Sequence, residues 1–462
     1  MRLPENVSYC IAALEAASYP TYAVGGCVRD PVLGLTPQDF DLCTAALPEQ
    51  MQEVFADRSL VLAGLKHGTV GVIFPDGVVE ITTFRTEGGY ADCRHPDWVR
   101  FVSDIEEDLA RRDFTVNAMA WSPTRGFADP FGGQNDLKNR ILRAVGNPEA
   151  RFREDSLRIL RGARFAAKYR LTPDADTETA MISLAPLMEN LARERVFSEL
   201  CKLLTYATVE DLIRWQPLIT QVIPELAGTV GFDQHSHHHA YDLYTHIAHV
   251  TAASPATLTA RWAALLHDVG KVATFTLDEH GNGHFYGHAQ LGGDMANDIL
   301  LRLKAPTALR QQVVALVKQH MTRLEPDKKL LRRWLSRLGC DTVLALLALQ
   351  EADMGSKGTG IPEALADYQE IHALLDEIQE ENACLRLKDL AINGHDLIEM
   401  GFSGKALGAC LNYLLEQVLD EQLPNEPDAL RTAANAILKQ GLQDLPPGGK
   451  VPPKEADEGY NK

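Results

Sequence analysis

Asp39 and Asp41, in the run Asp39-Phe40-Asp41-Leu42, have a spacing that could do chemistry. Side chains alternate along a strand, so the two carboxylates share one face while Phe40 and Leu42 turn into the core. Carboxylates about 7 Å apart on one strand face repel each other unless cations lie between them. The pair therefore suits two divalent metals, one activating an attacking hydroxyl and one holding a triphosphate and steadying its leaving pyrophosphate. Upstream runs Gly25-Gly26-Cys27-Val28-Arg29-Asp30. Adjacent glycines at a strand-to-helix turn let the backbone approach a ligand, and the following amides suit phosphate. Arg29 adds a bidentate donor for the same group. An isolated Asp-x-Asp is commonly a solvent-facing pair, and the glycine turn at this distance is what favours metals. Glu80, in VVEITTF, offers a third carboxylate, with a structural glutamate an equal alternative.

A second set of residues could ligate metal. His246 lies in YDLYTHIAHV, His267-Asp268 closes RWAALLHDVGK, His288 follows a glycine-rich loop, His320 ends ALRQQVVALVKQH and Asp353 ends VLALLALQEADM. Each stands at or near the end of its own helical segment, so several helices can aim these groups at one point. Neutral imidazole and carboxylate are suitable ligands for Mn, Fe, Ni, Zn or Mg. A carboxylate near a helix C-terminus, as at Asp353, faces an unfavourable dipole that a nearby cation would offset. The alternative is a set of structural histidines in a scaffold without metal. His235, His237, His238 and His239 read as a solvated loop.

The elements that must position these residues fall into two styles. TYAVGG, DFDLCT, GTVGVIF, VVEITTF and VRFV read as strands within the first 145 residues. After Asn147-Pro148, helical periodicity dominates through RILRGARFAAKY, TETAMISLAPLMENLA and RVFSELCKLLTYA. Of 462 residues, 45% are hydrophobic and 23% charged, a globular balance with room for two to four domains. A net charge of −18 argues against binding nucleic acid with the whole surface. Positive charge is instead concentrated between Arg151 and Arg170, with seven basic residues against Glu154 and Asp155. No run of about 18 apolar residues spans a membrane. Glu5 and Asn6 interrupt the apolar stretch a signal peptide needs, so a cytoplasmic location is expected. The eight cysteines contain no CxxC pair and read as small buried hydrophobes.

Taken in order, the motifs resemble the class II tRNA nucleotidyltransferase and bacterial poly(A) polymerase family. Gly25–Asp30 with Asp39 and Asp41 is similar to its first motif, and Arg111-Arg112-Asp113-Phe114-Thr115-Val116-Asn117-Ala118 to its second. Asp129-Pro130-Phe131-Gly132-Gly133, Glu154-Asp155-Ser156-Leu157-Arg158 and Arg193-Glu194-Arg195 are similar to the third, fourth and fifth. The resemblance implies that Gly26 and Arg29 contact the triphosphate, and that Arg112, Arg161 and Arg164 join them at the nucleotide. It offers Asp113 for the ribose 2′-hydroxyl. It also implies that protein side chains choose the base. Asp155 and Arg158, three apart on an expected helix, would share a face. A carboxylate accepts and a guanidinium donates, a pattern that fits cytosine and adenine and rejects uracil and guanine. Arg85, Glu87, Tyr90, Asp92 and Arg94 match the family's flexible loop. The order H…HD…D resembles the HD phosphohydrolases, with His288 and His320 placed like the extra ligands of two-metal members. Gly394-His395-Asp396-Leu397 resembles an RNA-holding segment, and Arg332, Arg333 and Arg337 offer a basic cluster.

The expected architecture is α+β: a nucleotidyltransferase head with a small sheet over 1–145, then a helical neck over 146–228 for nucleotide selection. An HD body follows over 229–360, a helical RNA-binding tail over 361–446 and a disordered end over 447–462. The expected activity is untemplated addition of C, C and A to a tRNA 3′ end from CTP and ATP. Mg²⁺ is expected at Asp39 and Asp41, and Mn, Ni, Fe or Mg at a secondary HD phosphohydrolase site. The rivals are an ATP-only poly(A) polymerase and an HD phosphohydrolase with a nucleotide-binding head.

Overall fold

The computed structural model describes residues 1–88, 98–235, 241–357, 362–381 and 383–440. The chain divides into two compact units, Met1–Ala227 and Gly228 onward. The first is α+β and the second almost entirely helical. The loop residues Tyr90, Asp92 and Arg94, His237 to His239 and the end from 447 lie outside the described residues. Among those described, no helix is long and apolar enough to cross a membrane.

Eleven strands belong to the first unit: β1 (Thr21–Val24), β2 (Asp41–Thr44), β3 (Leu60–Val61), β4 (Thr69–Phe74), β5 (Gly77–Thr83), β6 (Arg85–Gly88), β7 (Trp98–Phe101), β8 (Ala120–Ser122), β9 (Gly126–Ala128), β10 (Ile141–Leu142) and β11 (Thr172–Pro173), the last two forming a parallel pair of their own. Seven form one sheet in the order β3-β4-β5-β2-β1-β8-β9, while β6 and β7 pair as a separate hairpin. Only β2 and β5 run parallel within the large sheet. β1 sits inside it and is buried at all four positions, as its sequence TYAV allows. Tyr22, Val24 and Cys43 pack with Phe84, Leu109 and Val145 behind the sheet. Apolar periodicity then builds the helices Leu157–Tyr169 and Arg193–Tyr206, which pack against each other. Gly162 allows the first of them to close in. A Cβ there would stand 2.9 Å from the Met181 side chain and 3.0 Å from the Phe114 ring.

In the second unit, the helices Leu243–Ala253, Leu258–Leu266, His288–Arg302, Thr307–Gln319 and Cys340–Gly355 surround a common centre. A separate apolar cluster around Leu397, Phe402, Cys410 and Leu414 organises the C-terminal helices.

Candidate active site and metal centre

β1 ends at Val24, which pairs with Asp41, and the chain turns away at once through Gly25, whose φ of +71° suits glycine. The helix Gly26–Val32 begins there. This corrects one expectation. With β1 gone at Gly25, residues before Asp41 lose their partner on that side, β2 starts at Asp41, and Asp39 precedes it. Phe40 is half-buried instead of in the core, whereas Leu42 is fully buried. Asp39 and Asp41 are both exposed. Leu42 pairs with Ile81 in parallel register, which sets Asp41 and Glu80 side by side on one exposed face. Desolvation raises the Asp41 carboxyl above the usual range. Arg112 opposes this, while Glu80 and Asp39 push further up.

The arginines surround this turn. Arg29, only 6% exposed, donates to Asp30, Asn117 and the Tyr169 hydroxyl. Its guanidinium lies 4.1 Å from the centre of the Tyr169 ring. Arg112 stands beside the turn: a Cβ on Gly25 would lie 3.5 Å from its Nη1. Arg161 holds Asp113 through Nε and Nη2 at 2.9 and 2.6 Å, and Arg164 faces Glu199 at 3.2 Å. Burial opposes the charge of Asp113, yet Arg161 and Asn117 hold its carboxyl well below the usual range. The Phe165 ring has Arg29, Arg161 and Arg164 around it, at 5.4, 5.3 and 4.2 Å.

Asp155 and Arg158 do not share a helix face, which corrects the expected geometry. The helix Pro148–Glu154 stops at Asp155, which is extended (φ −139°, ψ 100°), and the next helix starts at Leu157. The Asp155 carboxylate accepts from the Leu157 amide at 3.0 Å, so it caps the new helix instead of continuing the old one. Asp155 pairs with Arg195 at 3.3 Å, and Arg158 pairs with Glu154 at 2.8 Å. Each member of the expected pair therefore has its own oppositely charged support.

The second unit brings all six expected ligands together. His246 Nε2 lies 3.0 Å from Asp353 Oδ1, and His267 Nε2 lies 3.1 Å from Asp268 Oδ2. His288 and His320 approach the other oxygen of Asp268, at 3.5 and 3.6 Å. Two ligand groups result, His246–His267–Asp268 and Asp268–His288–His320, with Asp268 common to both. His267, His288 and His320 place Nδ1 2.7 Å from the carbonyls of Ala264, Phe285 and Val317. A carbonyl only accepts, so Nδ1 carries the proton and Nε2 turns its lone pair inward. Gly270 lets the helix His288–Arg302 come this close, since a Cβ there would meet the His288 carbonyl at 2.4 Å. Lys271 Nζ reaches Asp268 Oδ2 at 2.9 Å and Gln234 at 3.0 Å.

Residues 21–143 match the "Poly A polymerase head domain" family, and residues 285–434 match tRNA nucleotidyltransferase domain 2. Residues 170–228 match the "Probable RNA and SrmB- binding site of polymerase A". The CCA-adding enzyme of Limosilactobacillus fermentum is 33% identical over 434 residues, covering 93% of this chain and 96% of its own. That of Latilactobacillus sakei is 34% identical, covering 91% and 95%. The chain belongs to the CCA-adding enzymes. The crystal structure of the Bacillus stearothermophilus CCA-adding enzyme in complex with CTP superposes with a TM-score of 0.70 at 27% identity, covering 95% of this chain and 99% of that one.

For a CCA-adding enzyme, the side chains that support these arginines were marked unevenly in the sequence. Asn117, inside the second motif, and Tyr169 hold Arg29, Glu199 faces Arg164, and Asp108 receives Arg111 and Arg112. Asp108 lies outside the motifs but had a local signal, a carboxylate three and four residues before two arginines on a helical segment. Two members of the basic cluster in the second unit make ion pairs, while Arg337 lies 5.8 Å from the centre of the Trp334 ring. Arg332 meets Glu381 and Glu421, and Arg333 meets Asp420.

Proposed function

We propose that Asp39 and Asp41 hold Mg²⁺ while the 3′-hydroxyl of a tRNA attacks the α-phosphate of CTP or ATP and releases pyrophosphate. The observation that carries this reading is the pair of exposed carboxylates at the glycine turn with Glu80 beside Asp41, whose carboxyl is harder to ionise through desolvation first and through Glu80 and Asp39 in addition. A surplus of negative charge with a single opposing arginine fits a bound divalent cation. Such a cation lowers the pKa of an attacking hydroxyl and offsets charge on the leaving group. The residues of the chain do the rest. Gly26 and Arg29 receive the triphosphate with Arg112, Arg29 from its seat against Asp30, Asn117 and Tyr169. Asp113, Arg161 and Arg164 line the nucleotide, while Asp155 and Arg158 read the base from their separate supports. The test is purified protein with tRNA lacking CCA and each nucleotide supplied singly and together. Addition of two C and one A supports the reading, and extension by ATP alone would favour poly(A) synthesis.

The six-residue centre fits a divalent metal by its donor set: four imidazoles and two carboxylates, among them a buried His267 Nε2 whose lone pair faces the Asp268 carboxylate at 3.1 Å. His246, His267, Asp268 and Asp353 would hold it, with His288 and His320 as further ligands. A metal there would supply an activated water for phosphoester hydrolysis, a second activity independent of nucleotide addition. Metal analysis with hydrolysis assays in Mn, Ni or Mg tests this.

A further inference from the structure

We infer that Asp108 is a positioning residue that locks the nucleotide-holding arginines to one another and thereby sets base discrimination. Its side chain is 1% exposed. Oδ1 accepts from Arg111 Nε and Nη2 at 3.1 and 2.8 Å and from the Arg85 amide at 3.3 Å. Oδ2 accepts from Arg112 at 3.1 Å. One buried carboxylate thus joins three separate parts of the site. Arg112 is the cation beside Gly25 and the leading positive charge on Asp41. Arg85 begins β6, the hairpin strand that leads into the segment before β7. Arg111 completes the connection, because its carbonyl accepts from Arg158 Nη2 at 2.9 Å and its own Nε reaches the Arg85 carbonyl at 3.0 Å.

Packing does not require a charge here. The same short helix, Ile105–Ala110, already buries Ile105 and Leu109. Burial opposes ionisation of Asp108, yet Arg112 and Arg111 hold its carboxyl below the usual range. An apolar residue would fill such a space at no desolvation cost. What the carboxylate adds is orientation: neighbouring guanidiniums, which repel, are held at fixed angles by opposite oxygens of one group. Loosening it frees Arg112 at the turn and lets the Arg111 carbonyl drift from Arg158.

The inference rests on the proposed reading of Arg158 and Arg112, and the variants separate the two. Asp108→Asn keeps the shape and removes the charge. Arg111→Lys keeps a cation and loses the fork. Single-nucleotide kinetics on tRNA lacking CCA give the CTP KM and the ratio of kcat/KM for CTP over UTP. Both variants are expected to raise the CTP KM and to lower the ratio by about tenfold, equivalent to roughly 1.4 kcal/mol of lost discrimination. The double variant should be no worse than the poorer single, since both cut one link. A uniform loss of kcat with KM and ratio unchanged would make Asp108 merely structural and overturn the inference. Arg158→Ala with an unchanged ratio would sink the base reading alone, and the CTP KM of Asp108→Asn would still decide the role of Asp108. Thermal unfolding accompanies each variant, and Arg111→Lys carries the test should Asp108→Asn fail to fold.

Discussion

Arg161 donates from both Nε and Nη2 to one oxygen of Asp113, leaving the other to the Asn117 amide at 3.0 Å and the Phe114 backbone amide at 2.8 Å. Four donors meet this buried carboxylate, and its proton affinity falls. A depressed folded pKa gives stability that is complete above the unfolded value, about 3.9, and is lost as pH falls through the folded value. Asp113→Asn is expected to cost about 1–3 kcal/mol at pH 7, towards the low end because Arg161 is partly exposed. The deficit against the natural protein should shrink as the pH drops below about 4, where the carboxylate of the unfolded chain takes up a proton while the folded one stays charged. Urea melts across pH 3 to 7 measure it, and a deficit that stays constant throughout would contradict the assignment.

Asp39→Ala and Asp41→Ala should each abolish nucleotide incorporation, with losses of at least a thousandfold, about 4 kcal/mol of barrier. Both side chains are exposed and pack no core, so thermal midpoints should hardly move. Near-normal transfer by either variant would remove it from the metal-holding role. Glu80→Gln adds a graded test: if Glu80 shares the metals, it should lower incorporation less than the aspartate variants do.

His267→Ala with Asp268→Ala should remove bound transition metal and any phosphoester hydrolysis while sparing CCA addition. The two sites lie in different compact units, and distant sites act nearly independently. Asp268 is common to both ligand groups, so its loss should empty the whole centre, whereas His320→Ala should leave the His246–His267–Asp268 group able to bind. Elemental analysis of the purified variants decides this. Metal-free natural protein that stays inactive in Mn, Ni and Mg would leave the centre purely structural.

Much of this was legible in the sequence because chemistry and punctuation coincide. The glycine pair after TYAV marked the end of β1, and TVGVIF and VVEITT carried enough β-branched residues to announce β4 and β5. The six residues of the candidate metal centre were readable because each lies near the start or end of an apolar helical run. What escaped depends on three-dimensional neighbours. β2 begins at Asp41 and not earlier because its partner β1 turns off at Gly25, a limit set by pairing and not by the composition of DFDLCT. Asp155-Ser156 did carry a signal, since both types favour helix N-termini, but the basic run on either side reads as one helix, and the extended backbone at Asp155 with its bond to the Leu157 amide shows two. β8 and β9 are short and carry no alternation that a sequence could display.

The separate supports of Asp155 and Arg158 change which variant tests base reading. Exchanging the two residues would set a new arginine at 155 against Arg195 and a new aspartate at 158 against Glu154, so repulsion would obscure any change in preference. Asp155→Asn creates no like-charge pair, although its amide nitrogen gives up the bond from Arg195. It keeps the size and one carbonyl oxygen for the Leu157 amide, and it converts the other oxygen to an amide donor. That donor can face the exocyclic carbonyl of uracil or guanine, which a carboxylate repels. Use of UTP and GTP should therefore rise relative to CTP and ATP, by a factor equivalent to about 1–3 kcal/mol by analogy with one bidentate base contact. Arg195→Ala should act in the same direction but more weakly, because it frees the Asp155 carboxylate without changing its hydrogen-bonding character. The measurement is primer extension with each nucleotide alone on a tRNA ending at the discriminator base. If Asp155→Asn still ranks CTP and ATP as far above UTP and GTP as the natural protein does, the carboxylate is not the reader. Selection would then have to reside in Arg158 and the shape of the pocket around it.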